Sequence, residues 1–144
     1  MKIIENGNVV SPKGFNACGN AIGLKKDKKD MAIITSDVPA NAAGCFTTNI
    51  VKAAPVHWDM ANVENSISGI VVNSGNANAC TGKQGLKDSE DTAAKLGELL
   101  DTDAKHVLVC STGVIGVNLP MDIILKGVEN TYPLLSSDIE SGKT

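Results

Sequence analysis

The sequence predicts an α/β domain, a layered arrangement in which helices cover a sheet, and three observations carry that expectation. Two brief continuous apolar runs, 68–72 and 106–110, have the length and β-branched content of strands buried within a sheet covered on both faces. Between them, residues 88–100 place Ala93, Leu96, Leu99 and Leu100 at helical spacing. Beyond Pro120, residues Met121, Ile124, Leu125 and Val128 define one apolar stripe of a second helix. Strands joined by helices of this length indicate helices packed on a sheet, although strand order is not specified by the pattern.

The remaining elements follow from local signals. The first helix begins acidic, which suits the positive end of its dipole, with Asp88 or Ser89 as the expected cap. Pro120 fits a first helical turn and Pro133 is the expected stop of the second helix. The run 31–35 reads as a further strand, followed by the turn-prone stretch Ser36, Asp37, Val38, Pro39, and 44–48 reads as another.

Composition narrows the function classes. A chain of 144 residues with 42% hydrophobic and 20% charged residues fits one domain, 1–144, around a single core. Phe15, Phe46, Trp58 and Tyr132 are its only aromatics, so small and aliphatic side chains must bring backbones close together. A net charge of -3 without interleaved aromatic and basic residues excludes a nucleic-acid partner. Lys25, Lys26, Lys28 and Lys29 form a basic run, but Asp27 and Asp30 interrupt it, which reads as a solvated turn rather than a phosphate patch. No stretch reaches the roughly 20 apolar residues of a membrane span, and the start at Met1, Lys2, Ile3, Ile4, Glu5 lacks a signal-peptide core, so a cytoplasmic location without membrane contact is expected. Cys18, Cys45, Cys80 and Cys110 are scattered and only His57 and His106 accompany them, so the expectation is no metal and reduced, mostly buried thiols.

Two polar, glycine-punctuated segments follow the two best strands, where α/β proteins tend to place their sites. In 73–82, Asn73, Asn76 and Asn78 are suited to fixing a tight irregular turn through backbone hydrogen bonds. Ser74 and Cys80 are conceivable nucleophiles, but neither has a histidine nearby in sequence, so covalent catalysis from this segment is not expected. In 111–116, the Thr112 hydroxyl and the amides around Gly113 suit an oxyanion hole for acyl transfer, and Gly113 permits close approach of a reacting group. Taken alone, a Ser-Thr-Gly turn fits a plain connection better. His57, beside Trp58, could be a base but reads as a partly exposed structural residue; His106 reads as scaffold.

Several segments in order carry a resemblance: Gly14-Phe15 with Gly23, then 36–40, 42–49, 53–56, 72–82, and 111–116 with Leu119, Pro120 and Met121. Together they resemble the ornithine acetyltransferase family, also called bifunctional glutamate N-acetyltransferases, over most of the chain. The resemblance implies an α-β-β-α sandwich and a transferase of arginine biosynthesis moving acetyl from N-acetylornithine to glutamate. No cofactor is implied, with acetyl-CoA as an additional donor in some members. It further implies autocatalytic cleavage into α and β chains in an α2β2 assembly, with the threonine at the start of β as the nucleophile. That threonine becomes acetylated, its own α-amino group or a nearby acid acting as base. Thr112 and Gly113 match the segment that stabilises the oxyanion.

The family's α chain continues through a Thr-Thr-Asp-Thr substrate segment to an Ala-Thr cleavage site, whereas this sequence stops at Asp138 to Thr144. Thr144 follows Lys143 and is not expected to be the nucleophile. The chain therefore reads as an α portion ending before the cleavage site, unable to catalyse alone, with the residues that grip the ornithine or glutamate carboxylate mostly elsewhere. Two other readings stay open: a subunit of a related aminopeptidase with an N-terminal nucleophile, and a non-catalytic interaction fragment.

Overall fold

A computed structural model describes residues 3–143; the expectations placed on Met1, Lys2 and Thr144 lie outside them. The elements are β1 (Phe15–Asn20), β2 (Met31–Ala40), α1 (Ala54–Asn62), β3 (Ile67–Asn76), α2 (Gly82–Leu99), β4 (Val107–Val114) and α3 (Met121–Thr131). The strands form one sheet in the order β1-β2-β3-β4. Both β1 and β3 run antiparallel to β2, while β4 runs parallel to β3 because α2 supplies the crossover that parallel neighbours require.

Alternation along the strands sends Ile33, Val71, Val107 and Val109 into a core completed by Ala93 and Leu96 of α2 and Ile124 and Val128 of α3. The layered α/β expectation holds, and the described residues supply one helix layer and one sheet layer. Coverage of both sheet faces does not hold among them: Ala32, Ile34, Ile70, Val72 and Leu108, which alternate with the core residues, are only half-buried. Gly69 explains how closely the layers meet, since a Cβ there would lie 2.9 Å from Leu96 Cδ2.

Three expectations need correction. The region 44–48 is not a strand; residues 41–49 carry no regular structure. α2 begins at Gly82, and Asp88 and Ser89 are buried on its inner side rather than capping it. Packing there overrides the weak helix propensity of Gly82 and Gly85. A Cβ at Gly85 would meet Asn78 Oδ1 at 2.5 Å, so the glycine makes room for that side chain. The thiols are mostly exposed, not buried: Cys18 alone is inside, while Cys45, Cys80 and Cys110 face outward.

β1 and α1 have no counterpart in the pattern. β1 reads FNACGN, with no alternation of large apolar residues, and α1 is a nine-residue helix whose buried members are only Ala54 and Pro55. α1 nevertheless has a definite task at the free edge of the sheet. Trp58 Nε1 donates to the Val107 carbonyl at 2.9 Å and Asp59 Oδ1 accepts from the Val109 amide at 2.9 Å. These side chains satisfy main-chain groups that a fifth strand would otherwise pair.

Candidate functional site

The two segments singled out in the sequence are not separate loops. β3 extends through Asn76 and β4 through Val114, and they pair in parallel register: Asn73 with Ser111, Ser74 with Thr112, Gly75 with Gly113. The segments thus converge at the carboxyl ends of the parallel strands. Thr112 and Gly113 are both exposed there, side by side.

Strand alternation fixes where their donors point. Val107 and Val109 turn their main-chain groups to the free edge, bonded to α1, while Val114 turns its carbonyl inward to accept from the Ala77 amide at 2.9 Å. A continued two-residue repeat would turn the amide of Gly113 to the free edge. The Thr112 side chain lies on the half-open face, in the row of Leu108 and Cys110. Thr112 and Gly113 thus sit together at one accessible corner of the sheet.

Gly113 has a further role that the motif alone did not reveal. Its φ is +132°, and a Cβ would lie 2.3 Å from the Gly75 carbonyl carbon and 2.6 Å from the Asn76 nitrogen. The glycine is demanded by the neighbouring strand whether or not a ligand approaches.

The asparagines do the structural work expected of them. Asn73 Nδ2 donates to the Asn76 carbonyl at 2.9 Å, and Asn76 Nδ2 donates to the Asn118 carbonyl at 3.1 Å. Asn78, fully buried, donates to the Gly85 carbonyl and the Ser89 hydroxyl and accepts from Thr81. Ser111 Oγ donates to Asn73 Oδ1 at 2.6 Å, tying the two strand ends together on the helix side. The result is a rigid frame beneath Thr112 and Gly113.

The other candidates separate cleanly. His106 Nδ1 lies 2.6 Å from the Ser66 carbonyl, at the opposite end of β4 from Thr112. His57 is exposed on α1, lining a groove with Cys80 and Thr81, and it is not brought to the Thr112 corner. Ser74 is brought to that corner by strand pairing. So is Lys25, whose ammonium donates to Ser74 Oγ; the basic run from Lys25 to Lys29 is exposed, as expected of a solvated turn. Nothing in the local sequence joins Lys25 to Ser74; only the fold does.

Among the described residues Asp59 is the one carboxyl near β4 with a displaced titration: burial pushes it up from 3.8 to about 6, against the pull of the Val109 amide. The folded state thus holds this proton more tightly than the unfolded chain, so stability from Asp59 is lost as pH rises from about 4 through 6. Asp59→Asn keeps an acceptor for Val109 without the charge. It should match the parent at pH 4 and be more stable by roughly 1–3 kcal/mol at pH 7.5, measured by urea unfolding at both pH values. Equal stability at pH 7.5 would rule out the burial cost.

Comparison with known proteins gives a consistent result. The ArgJ family profile matches residues 16–142. The arginine biosynthesis bifunctional protein ArgJ of Bacillus thuringiensis subsp. konkukian is 52% identical over 132 residues, which are 90% of this chain and 32% of the relative. The ArgJ protein of Caldanaerobacter subterraneus subsp. tengcongensis is 52% identical over 139 residues, 96% of this chain and 34% of the relative. Among solved structures, the ArgJ protein of Bacillus halodurans superposes with a TM-score of 0.90 at 40% identity, covering 96% of this chain and 73% of that one. An ornithine acetyltransferase of Mycobacterium tuberculosis complexed with ornithine gives a TM-score of 0.91 at 38% identity, covering 97% and 77%. The chain spans about a third of the length of the full relatives it matches. No helix among the described residues is long and apolar enough to cross a membrane.

Proposed function

The chain belongs to the ArgJ family, and from that premise we propose that it forms the oxyanion-stabilising part of an acetyltransferase whose nucleophile lies outside these 144 residues. The observation that supports the reading is the exposure of Thr112 and Gly113 side by side at the carboxyl end of β4, beside the end of β3.

The chemistry follows from that corner. A threonine hydroxyl, freed by self-cleavage at the start of a β chain, attacks the acetyl carbonyl of N-acetylornithine, and its proton passes to a base, its own α-amino group or a nearby acid. The carbonyl oxygen becomes negative, and Thr112 and Gly113 donate to it in place of water. Collapse expels ornithine with the proton and leaves an acetyl-threonine ester. The amine of glutamate then attacks the ester carbonyl through a second oxyanion at the same donors, releasing N-acetylglutamate and restoring the hydroxyl.

In this reading the chain is the α portion of an α2β2 enzyme of arginine biosynthesis in the cytoplasm. No cofactor is needed, since acetyl-CoA would enter only as an alternative donor to the same threonine. The test combines the chain with the remainder that its relatives carry and assays acetyl transfer from N-acetylornithine to glutamate. Transfer requiring both parts is the expected result. A folded complex that only hydrolyses amides, or does nothing, would overturn the reading, the former in favour of an aminopeptidase.

A further inference from the structure

A cavity of about 600 Å³ opens at the end of the sheet remote from Thr112. Thr35, in its wall, pairs with Gly69, and Gly69 pairs with Val107 at the start of β4. Thr112 lies roughly 16 Å further along that strand. Strand β2 forms one side of the cavity, and the residues that follow α2 and α3 form the other. The volume is that of a small-molecule pocket.

The wall carries a polar group that the protein leaves without a partner. Thr35 is only 6% exposed and, two residues from Ile33, lies on the helix side of the sheet. Its hydroxyl makes no hydrogen bond to any described residue. Among the described residues the one sealed side-chain polar atom without a partner is Asp88 Oδ2. The Thr35 hydroxyl is therefore not enclosed by protein but opens onto the cavity, with its lone pairs free for whatever enters.

Two carboxylates line the same space. Asp37 accepts from Asn16 Nδ2 at 2.7 Å through Oδ1 alone. Asp101 follows the cap of α2 with φ +53°, at the position where glycine usually ends a helix. A carboxylate there also meets the negative end of the helix dipole. Backbone and dipole both oppose an aspartate at this place, and a bound cation would relieve the second cost. Neither Asp37 nor Asp101 has an ion-pair partner among the described residues. No lysine or histidine among them lines the cavity.

The lining indicates the ligand. Acceptors without a cation select positive charge, Leu100 and Leu135 offer apolar surface to a short aliphatic chain, and Tyr132 contributes an aromatic ring. An amino acid would bring a third carboxylate with no cation to meet it, so a diamine fits better than a basic amino acid. We propose that this cavity binds a short aliphatic diamine, its ammonium groups held by Asp37, Asp101 and the Thr35 hydroxyl. The inference stands independently of the acetyl-transfer reading.

The test uses the protein formed by this chain with its remainder, and radiolabelled 1,4-diaminobutane in equilibrium dialysis at constant ionic strength. Saturable binding is expected, with ornithine and 4-aminobutanoate at least 10-fold poorer competitors than the unlabelled diamine. Asp37→Asn and Asp101→Asn should each weaken binding by about 10-fold, the equivalent of one charge-assisted bond, and Thr35→Val by less. Asp101→Gly should raise Tm without ligand, yet lose most of the further rise that the diamine gives the parent. That pairing separates a lost site from lost folding. Binding undiminished in Asp101→Asn, ornithine competing as well as the diamine, or no binding by the folded protein would each overturn the proposal.

Discussion

Replacing Thr112 with alanine is expected to slow acetyl transfer by about 10²-fold or more, the effect of removing one preorganised donor from a developing oxyanion. The loss should fall on kcat, with KM for both substrates little changed, because the interaction strengthens only as the carbonyl oxygen becomes negative. Folding should be untouched: Thr112 is exposed, and its side chain has no hydrogen bond among the described residues, so its removal lies within about 0.5 kcal/mol of neutral. Thr112→Ser, which retains the hydroxyl, should keep most of the activity. Steady-state kinetics beside a urea unfolding curve separates the two effects. Turnover in Thr112→Ala equal to the parent would remove the residue from the mechanism.

Asn78→Leu is expected to produce the largest loss of stability, about 3–5 kcal/mol from stranded polar partners together with backbone strain. Asn78 is fully buried with φ +46°, a conformation asparagine tolerates and leucine does not. Leucine would leave the Gly85 carbonyl and the Ser89 hydroxyl without the donors they receive at 2.9 and 3.0 Å, and Thr81 without its acceptor. The unfolding midpoint in urea reports the result. A change under about 1 kcal/mol would mean that the asparagine network is dispensable to the frame beneath the site.

What could be read beforehand was set by where apolar side chains fall. The runs holding Val71 and Val109 marked β3 and β4, and the stripe of Ile124 and Val128 marked α3, because burial leaves a periodic trace. The first turns of α2 left none, since Gly82 and Gly85 resemble a loop until Asn78 is seen packed against Gly85. β1 and α1 were hidden for a related reason: their small or half-exposed residues gain order from neighbours, as when Trp58 and Asp59 bond to the edge of β4. At the site, Thr112 and Gly113 were legible as a motif, but their surroundings were not. The clash awaiting any side chain at Gly113 depends on Gly75, and the arrival of Lys25 depends on its bond to Ser74, each far away in sequence.

Exposed strand rims are dangerous, because unpaired amides can recruit other chains into fibrils. The guard supplied by Trp58 and Asp59 covers the rim of β4 only as far as Val109, and the bend at Gly113 ends the strand by Val114. The bare interval is too short to template an extended ladder. The rim of β4 can thus stay open at its carboxyl end while offering little length for another polypeptide to zip onto.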